Sequence, residues 1–451
     1  MEKADAVIIG SGQGGIPLAV ELARRGQRVI LFERAGLGGS CVNYGCIPSK
    51  AFLASAHAAA HARYSASLGV HAQVKVDFQA VMERVRSIIR SHNESLERTL
   101  DKTGVRLVRA EASFRDEHSL SGGGVTVQAP LVVINSGKSP FVPGISGLEG
   151  TPYLTYTKFW DVHTLPRRTL IMGGGYVGLE LGQGLARLGS QVQIIESNDR
   201  IAVKEEVEVS QALAEALKKD DVQLHLGVEA IQVDHAEEGF TLTLSKGGKL
   251  EGDALLVSTG QRSNTAALNA AAAGIELDDQ GNIIVDKHFR TTNAAVYAIG
   301  DVTGQPAFTH VSWEDYRRLI EILDGNGRTQ GDRVLGYGFL TEPQVGRAGL
   351  TLAQAREKGF NAREVTLPLE RVARAEVSNR TLGFYRMVID QDTDKILGAT
   401  LVGAEAAELI HVFIAHMEAG STWQTLDRSV HIHPTYAEGL PSLARLLREE
   451  I

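Results

Sequence analysis

An internal repeat of a glycine-rich unit constrains the fold of this chain more than any other sequence feature. When residues 6–34 are aligned with residues 169–197, three closely spaced glycines, a later glycine and a glutamate coincide without a gap, at a constant offset of 163 residues. The matched pairs are Gly10 and Gly173, Gly12 and Gly175, Gly15 and Gly178, Gly26 and Gly189, and Glu33 and Glu196. Each copy predicts a buried strand, a glycine turn, an amphipathic helix, and a second strand that ends in a carboxylate.

These residue types are the ones that dinucleotide binding requires. The first glycine allows a tight turn, the second lets the backbone approach a pyrophosphate, and the third lets the helix pack closely on the strand. The phosphates then lie at the positive end of the helix, and the closing glutamate accepts hydrogen bonds from ribose hydroxyls. A single motif also occurs at ordinary strand-to-helix corners. Two copies, each in a complete βαβ context, predict two bound dinucleotides.

Length and composition exclude several other classes of protein. A chain of 451 residues is expected to form about three domains. No apolar run approaches the roughly 18 residues of a membrane span, and the first residues lack the pattern of a signal peptide, so we expect a cytoplasmic protein without a membrane partner. The net charge is −8 and no basic stripe is present, which argues against a nucleic-acid partner.

The remaining pattern predicts an α/β fold with a separate C-terminal α+β domain. Residues 77–102 are charged with a helical period, and the short alternating segments after them suggest a small sheet. Residues 131–140 and 255–264 resemble each other, as strands that return the chain from each nucleotide unit. From residue 332 the pattern changes to alternating strands followed by a helix, which indicates a new domain.

The chain has only two cysteines, Cys41 and Cys46, and they lie five positions apart. A scaffold disulfide is disfavoured in a reducing compartment. Half of a zinc site is an alternative, but no second ligand pair with metal spacing appears, so no resident metal is predicted. A helical turn across the four intervening residues can bring the Cα atoms within the roughly 4.4 to 6.8 Å that a disulfide needs. The start of the following helix favours a thiolate, and a redox-active pair is therefore predicted.

The segment around these cysteines, residues 38–50 (GGSCVNYGCIPSK), resembles the active-site motif of the class I pyridine nucleotide-disulfide oxidoreductases. That family includes dihydrolipoamide dehydrogenase, glutathione reductase and mercuric reductase, and the resemblance covers essentially the whole chain. It implies two Rossmann-like domains, one for FAD and one for NAD, and a C-terminal dimerisation domain. The implied boundaries are 1–145 and 265–331 for FAD, 146–264 for NAD(P), and 332–451 for dimerisation.

The resemblance also implies roles for individual residues. Cys41 is the outer thiol that exchanges with substrate, Cys46 the inner thiol that contacts the flavin, and Lys50 lies near flavin N5 and pairs with Glu180. The segment 297–301 resembles the second FAD motif, whose aspartate accepts a hydrogen bond from the ribityl chain. The candidate FAD-binding residues are Gly10, Gly12, Gly14, Gly15, Glu33, Gly39, Ser40, Lys50, Gly137 and Asp301.

The second unit is implied to hold the nicotinamide cofactor. Its candidate residues are Gly173, Gly175, Tyr176, Gly178, Glu196 and Gly260. Tyr176 corresponds to a tyrosine that gates the nicotinamide pocket in some relatives, and packing alone is an equal alternative. Glu196 would repel a 2′-phosphate, and residues 197–199 add no cation, so NAD(H) is favoured over NADP(H). Arg200 leaves NADP(H) open.

Residues 431–438 resemble the terminal motif of the family, in which a histidine oriented by a glutamate exchanges protons with the substrate thiol. Here these are His433 and Glu438, and an imidazole with a pKa near 6.5 suits proton transfer in either direction. For His431 a local hydrogen-bonding role is equally possible, and the helical His57, His61, His411 and His416 are interpreted as structural. In the family the histidine reaches the cysteines of the partner subunit, which implies a homodimer with shared active sites.

The predicted enzyme passes electrons between a nicotinamide, FAD, the cysteine pair and a small-molecule disulfide or dithiol, in a direction that the sequence does not encode. Residues 308–316 and 367–375 resemble the mercuric reductase-like branch, which includes bacterial reductases associated with copper and oxidant stress. The C-terminal cysteine pair of mercuric reductases is lacking, so dihydrolipoamide is the leading substrate. The alternatives are an enzyme that reduces Cu(II), Hg(II) or hypothiocyanous acid, and a redox sensor without turnover.

Overall fold

A computed structural model of the chain describes residues 1–331 and 333–449. The predicted dimerisation segment, 332–451, therefore begins and ends at residues outside the described ranges. The N-terminal strands and helices, in chain order, are β1 (Glu2–Lys3), β2 (Ala6–Ile9), α1 (Gly15–Arg24), β3 (Val29–Phe32), α2 (Gly39–Asn43), α3 (Cys46–Tyr64), α4 (Phe78–Thr103), β4 (Arg106–Val108), β5 (Ser113–Phe114), β6 (Ser119–Gly122), β7 (Val125–Gln128), β8 (Leu131–Ile134) and β9 (Lys138–Pro140).

The second glycine-rich copy opens the middle part of the chain. Its elements are β10 (Arg168–Met172), α5 (Tyr176–Leu188), β11 (Gln191–Glu196), α6 (Val207–Lys219), β12 (Gln223–Leu226), β13 (Ala230–Ala236), β14 (Gly239–Leu244), β15 (Lys249–Gly252), β16 (Ala254–Val257) and β17 (Gln261–Ser263). The chain then returns through β18 (Val296–Ala298) and α7 (Thr309–Leu323).

The C-terminal part contains five strands and five helices within the described residues. They are β19 (Gly336–Phe339), β20 (Gln344–Gly349), α8 (Leu352–Glu357), β21 (Ala362–Pro368), α9 (Ala373–Val377), β22 (Phe384–Asp390), β23 (Ile396–Gly403), α10 (Ala406–Glu418), α11 (Trp423–Arg428) and α12 (Gly439–Glu449). The strands form one antiparallel sheet in the order β19-β20-β23-β22-β21.

The two glycine-rich copies form parallel sheets with the same strand order. The order β8-β2-β3-β4 in the first sheet matches β16-β10-β11-β12 in the second, and the first sheet has β18 as an additional strand beside β8. Ala6 pairs with Val29 in the first sheet, and Thr169 pairs with Val192 in the second. The residue pairs of the two sheets are thus related by the same offset of 163 residues that the sequence repeat shows. This confirms the predicted α/β fold with two Rossmann-like units.

Smaller sheets fill the connections between these units. The helix predicted over 77–102 is α4, where Asp77 accepts a hydrogen bond from the backbone N–H of Ala80 at 3.0 Å and so caps the helix start. Strands β5, β6 and β7, which follow α4, form a sheet with the N-terminal strand β1, in the order β1-β7-β6-β5. Strands β9 and β17, which follow the two returning strands, pair antiparallel and join the two Rossmann-like units.

The cysteine segment differs in one respect from the expected single helical turn. Cys41 lies in α2, the helix breaks at Tyr44 and Gly45, and Cys46 is the first residue of α3. The break occurs at Gly45, whose φ of −109° and ψ of −105° are not helical. The consequence is that Cys46 occupies the amino-terminal end of a 19-residue helix, as the prediction of a favoured thiolate requires.

An aromatic cluster holds helix α3 in place. Phe52 is fully buried, and its ring meets those of Phe159 and Trp160 edge to face, with centroids 5.4 Å and 6.1 Å away. On the other side α5 approaches α3 closely at Gly184, where a Cβ atom would lie 2.5 Å from the Phe52 ring. The redox-active segment is thus packed directly against the second Rossmann-like unit.

Within the described residues, no helix is both long and apolar enough to cross a membrane.

We expect Gly10→Ala to destabilise the fold more than Gly26→Ala. Both glycines have positive φ, +99° and +85°, so alanine at either site costs about 1–2 kcal/mol in backbone strain. Only at Gly10 would the new Cβ also lie 2.3 Å from a carbonyl oxygen, that of Asn135, whereas nothing lies within 4 Å at Gly26. Denaturant unfolding of the two variants measures the difference. Equal losses of unfolding free energy would show that the close approach at Gly10 is unimportant.

Candidate active site

The first glycine turn is built by backbone approaches that leave no room for side chains. Gly10 follows β2 directly, with Asn135 beside it at the end of β8. A Cβ atom on Gly15, the first residue of α1, would lie 2.0 Å from the carbonyl oxygen of Gly10. The chain therefore folds back tightly at this point, and the start of α1 faces the space above the carboxyl ends of the strands.

Asn135 is a buried residue of this turn that the sequence analysis missed. Its Oδ1 accepts a hydrogen bond from the Gly15 N–H at 2.9 Å, and its Nδ2 donates to the Ile299 carbonyl at 3.0 Å and the Ser312 hydroxyl at 3.1 Å. It ties the glycine turn to the segment around Asp301. The sequence does indicate this residue through its position, because Asn135 directly follows the apolar strand β8 and precedes Gly137.

Glu33 lies where the repeat predicts a ribose-binding carboxylate, at the end of β3. Its carboxylate accepts hydrogen bonds from the Ser11 N–H at 2.9 Å, the Ser11 hydroxyl at 2.6 Å and the Ala35 N–H at 2.7 Å. These bonds hold the loop after β2 against the loop after β3. The same carboxylate faces the large cavity described next.

A cavity of about 390 Å³ joins the first glycine turn to the cysteine pair. The predicted site residues that line it are Gly10, Gly12, Glu33, Gly39, Ser40, Cys41, Cys46, Lys50, Gly137, Tyr176, Glu180 and Asp301. Gly14 and Gly15 lie beneath it, in the turn itself, and Gly14 packs against Ser312. One continuous space thus contains a helix start that suits a pyrophosphate, a carboxylate that suits a ribose, and two thiols. These residues fit an extended dinucleotide such as FAD.

Asp301 is the carboxylate predicted to meet the ribityl chain. It follows β18 and the Gly300 turn, whose N–H donates to Asp315 at 2.9 Å. Burial raises the pKa of Asp301 to about 6, an effect that the nearby Lys138 opposes. A carboxyl group in such a dry position favours a hydrogen-bonding ligand such as a hydroxyl.

The two cysteines line the same cavity, and no disulfide joins them in this structure. The hydrogen bond from Cys41, together with those from Thr309 and the charge of Lys50, outweighs burial and lowers the pKa of Cys46 to about 6. The hydrogen bond with Cys46, followed by burial and by the charge on Cys46, raises the pKa of Cys41. The opposite directions of these two pKa shifts favour ionisation of Cys46 over ionisation of Cys41.

Lys50 and Glu180 form the ion pair that the family resemblance implied. The Lys50 Nζ lies 2.9 Å and 2.8 Å from the two carboxylate oxygens of Glu180. Glu180 is only 3 % exposed, and it also accepts a hydrogen bond from the Leu340 N–H at 2.7 Å. Helices α3 and α5 and the C-terminal sheet therefore meet at the buried carboxylate of Glu180, beside the cysteines.

The second glycine turn repeats the geometry of the first. Gly173 has a φ of +105°, and a Cβ atom there would lie 2.5 Å from the carbonyl oxygen of Ser258. Gly178 contacts Gly173 across the turn, Gly175 precedes the first residue of α5, and Gly260, with a φ of +128°, follows β16. Tyr176, 40 % exposed, begins α5 and reaches the cysteine-containing cavity, whereas the glycines of this turn and Glu196 are not among its lining residues.

Glu196 and Arg200 bear on the choice of nicotinamide cofactor. The Glu196 carboxylate accepts hydrogen bonds from the Gly174 N–H at 2.7 Å and the Asn198 N–H at 2.8 Å. Burial opposes its ionisation, but these bonds more than compensate and lower the pKa of Glu196. The Arg200 guanidinium, by contrast, donates to the Ser210 hydroxyl at 2.7 Å and to the Val203 carbonyl at 2.7 Å. The first cation after Glu196 in the sequence is thus already bound by groups of its own chain.

His433 and Glu438 are brought together, but not at the cavity. The His433 Nδ1 lies 2.7 Å from the Glu438 carboxylate, as expected for an oriented imidazole. The His433 side chain is 74 % exposed, and it does not line the cavity that contains the cysteines of its own chain. Two apolar neighbours are also exposed, Val430 at 99 % and Ile432 at 78 %. His431 makes a local contact, with its Nδ1 3.2 Å from the Ser429 hydroxyl.

Comparison with known proteins finds two family models that match along the chain. Residues 4–315 match the family model described as pyridine nucleotide-disulphide oxidoreductase, and residues 337–444 match its dimerisation domain. The chain is 32 % identical to the probable pyridine nucleotide-disulfide oxidoreductase RclA of Escherichia coli K12, over 99 % of this chain and all of that protein. It is also 32 % identical to a mercuric reductase of Bacillus cereus, over 97 % of this chain and 70 % of that protein.

Solved structures agree with these matches. The Cu(II) complex of the HOCl-induced flavoprotein disulfide reductase RclA from Escherichia coli superposes with a TM-score of 0.91 at 32 % identity, covering 99 % of this chain and all of that one. The chain belongs to the class I pyridine nucleotide-disulfide oxidoreductases, which are FAD-dependent enzymes that use NAD(P)H, and it carries the dimerisation domain of that family.

Proposed function

We propose that this enzyme exchanges electrons between NADH and a small disulfide or dithiol through Cys41 and Cys46. The observation that carries the proposal is the single cavity that contains the first glycine turn, the thiolate of Cys46 and the Lys50–Glu180 pair. When bound there, FAD would supply two-electron transfer between the nicotinamide and the cysteine pair. Dihydrolipoamide, or its disulfide, is the first substrate to test.

The residues that would hold the dinucleotide follow from the cavity. The start of α1, with Gly10 and Gly12, would bind the pyrophosphate, and Glu33 the adenosine ribose. Asp301 would accept a hydrogen bond from the ribityl chain, and Lys50 would lie beside the ring system, next to Cys46. Gly39, Ser40 and Gly137 border the same space.

The unequal proton affinities of the thiols suggest how substrate exchange proceeds. Cys41 must lose its proton to attack an external disulfide, and its raised pKa means that a base has to accept that proton. We propose that His433 of the partner subunit, oriented by Glu438, is that base and returns the proton to the leaving thiol. Cys46 then closes the disulfide with Cys41 and releases the reduced substrate.

The shared site is supported by what surrounds His433. Its side chain and its apolar neighbours Val430 and Ile432 are exposed on the single chain, although apolar side chains favour burial. They lie in the segment that matches the dimerisation domain. We propose a homodimer in which this segment of each subunit covers the cysteine site of the other.

A second candidate substrate is an oxidant or a metal ion, Cu(II), Hg(II) or hypothiocyanous acid. The match to RclA favours it, because that relative is HOCl-induced and was solved as a Cu(II) complex. The presence of His433, whose proton transfer serves thiol exchange, favours the disulfide. We further propose a cytoplasmic location, since a working dithiol pair suits a compartment where thiols are kept reduced.

We expect the reduced holoenzyme to show a long-wavelength thiolate-to-flavin absorbance that depends on pH. Because the pKa of Cys46 is lowered to about 6, the thiolate and its absorbance should be present at neutral pH and be lost as the pH falls through that value. Anaerobic titration with NADH at several pH values measures this. Cys46→Ser should keep FAD but lose the band. Cys41→Ser, as matched control, should show the band before NADH is added, because Cys46 cannot form a disulfide and the flavin is still oxidised. A band that survives in Cys46→Ser would contradict the assignment.

Mixed dimers test the shared site. Homodimers of Cys41→Ser should be impaired in disulfide turnover because the attacking thiol is lost. Homodimers of His433→Ala should be impaired because proton transfer is slowed. A heterodimer of the two variants contains one site with both defects and one intact site, so about half of the wild-type activity should return. Differently tagged, co-expressed and co-purified subunits allow the rate to be measured. If cysteines and histidine of one chain worked together, the heterodimer would not recover activity.

Steady-state rates with a panel of electron acceptors test the substrate and the cofactor together. With lipoamide, we expect NADH to give a kcat/KM at least about tenfold above that of NADPH, because the ionised Glu196 repels a 2′-phosphate. Glutathione disulfide, Cu(II), Hg(II) and hypothiocyanous acid complete the panel. If lipoamide is turned over only at the background rate while hypothiocyanous acid or Cu(II) is reduced rapidly, the second candidate becomes the proposed substrate. Equal use of NADPH would contradict the role of Glu196.

A further inference from the structure

Cys46 has a hydrogen-bonding neighbour that comes from a distant part of the chain. The hydroxyl oxygen of Thr309 lies 3.0 Å from the sulfur of Cys46, although the two residues are 263 positions apart. Both residues are the first of their helices, since Cys46 begins α3 and Thr309 begins the 15-residue helix α7. Both also line the large cavity. The sulfur thus lies at the start of its own helix and in contact with the start of a second one.

The start of α7 is held firmly in this position. The ring of Phe308, which precedes the helix, stacks on Tyr337 with centroids 4.8 Å apart and on His310 with centroids 5.6 Å apart. Tyr337 is fixed in turn by its hydroxyl, which donates to Glu205 at 2.8 Å. The His310 Nε2 lies 2.6 Å from the Gly336 carbonyl oxygen. The stacked rings of Phe308, His310 and Tyr337 therefore fix the backbone that carries the Thr309 hydroxyl.

Several other groups that influence the Cys46 sulfur are titratable or charged. Cys41 donates to its sulfur, Lys50 and Glu180 act through their charges, and Asp301 and Tyr176 are close enough to interact with it electrostatically. Each of these groups can change its proton or its partner during turnover. Cys41 in particular stops donating when it bonds to a substrate sulfur. The Thr309 hydroxyl does not titrate and is available throughout.

We propose that Thr309 is a positioning residue for Cys46, whose hydroxyl donates a hydrogen bond to the thiolate and so keeps the sulfur anionic and directed into the cavity. The inference rests on the proposed role of Cys46 as the inner thiol. A hydroxyl next to a thiolate can only donate, because a thiolate has no proton to give. Without this bond the charged sulfur would lose a charge-assisted partner in a largely buried site.

The test compares Thr309→Val with Thr309→Ser in the full-length FAD holoenzyme. The readout is the pH at which half of the long-wavelength absorbance of the two-electron-reduced enzyme is lost. Thr309→Val removes the donor at nearly constant volume and should raise this midpoint by about one pH unit, a tenfold rise in proton affinity. Thr309→Ser restores a donor and should return the midpoint close to that of the wild type.

Thr157→Val is the matched control. Thr157 lines the same cavity, but its hydroxyl lies 2.8 Å from that of Thr155, so its loss should leave the midpoint unchanged. If Thr309→Val does not retain FAD, Thr309→Ala is compared with Thr309→Ser in its place. An unchanged midpoint in Thr309→Val, or a shift in Thr309→Ser as large as in Thr309→Val, would overturn the inference. A wild-type enzyme without the band would instead refute the proposed function.

Discussion

The ion pair between Lys50 and the buried carboxylate of Glu180 is the interaction on which the arrangement of the site depends. Lys50 belongs to the helix that begins with Cys46, and Glu180 belongs to the helix of the second glycine unit. The Glu180 carboxylate also accepts the Leu340 N–H, which follows the first strand of the C-terminal sheet. Because removal of one buried partner leaves an uncompensated charge, this pair holds three parts of the chain in one geometry. That geometry places the thiolate in the cavity.

The same face of helix α5 makes further contacts with the C-terminal sheet. One turn beyond Glu180, the Gln183 side-chain amide donates to the Glu342 carbonyl and accepts from the Glu342 N–H, both at 2.8 Å. One turn further, Arg187 pairs with Glu342 and Asp220. Burial alone would raise the pKa of Glu342, but His61, Arg187 and Arg380 hold it far below its usual range. The junction between the nucleotide units and the C-terminal domain is therefore built from ionised, mutually satisfied groups.

Local signals made much of this structure predictable. The glycine turns require specific backbone approaches, and β2, for example, consists of the buried apolar run that directly precedes the first glycine. The adjacency of Lys50 and Glu180 was implied by family resemblance alone, since they are 130 residues apart. The break at Tyr44 and Gly45 was not predicted, because a glycine between two cysteines does not distinguish one helical turn from two helix ends.

The unpredicted residues of the site act through long-range contacts. Asn135 and Thr309 resemble ordinary polar residues at a strand end and a helix start, and only folding brings them to Gly15 and to Cys46. His433 illustrates the opposite case. Its role was inferred from a motif, but the single chain leaves it exposed, and a complete site requires a second subunit under the present proposal.

The central claim is that electrons from the nicotinamide reach the sulfur atoms of Cys41 and Cys46. Because these are the only two cysteines in the chain, they can be counted directly. The air-oxidised holoenzyme is mixed anaerobically with one equivalent of NADH per subunit, alkylated under denaturing conditions and weighed by mass spectrometry. The account predicts that alkylated cysteines rise from none to two per chain. A flavin that is reduced while both cysteines remain unavailable to the alkylating reagent would contradict it.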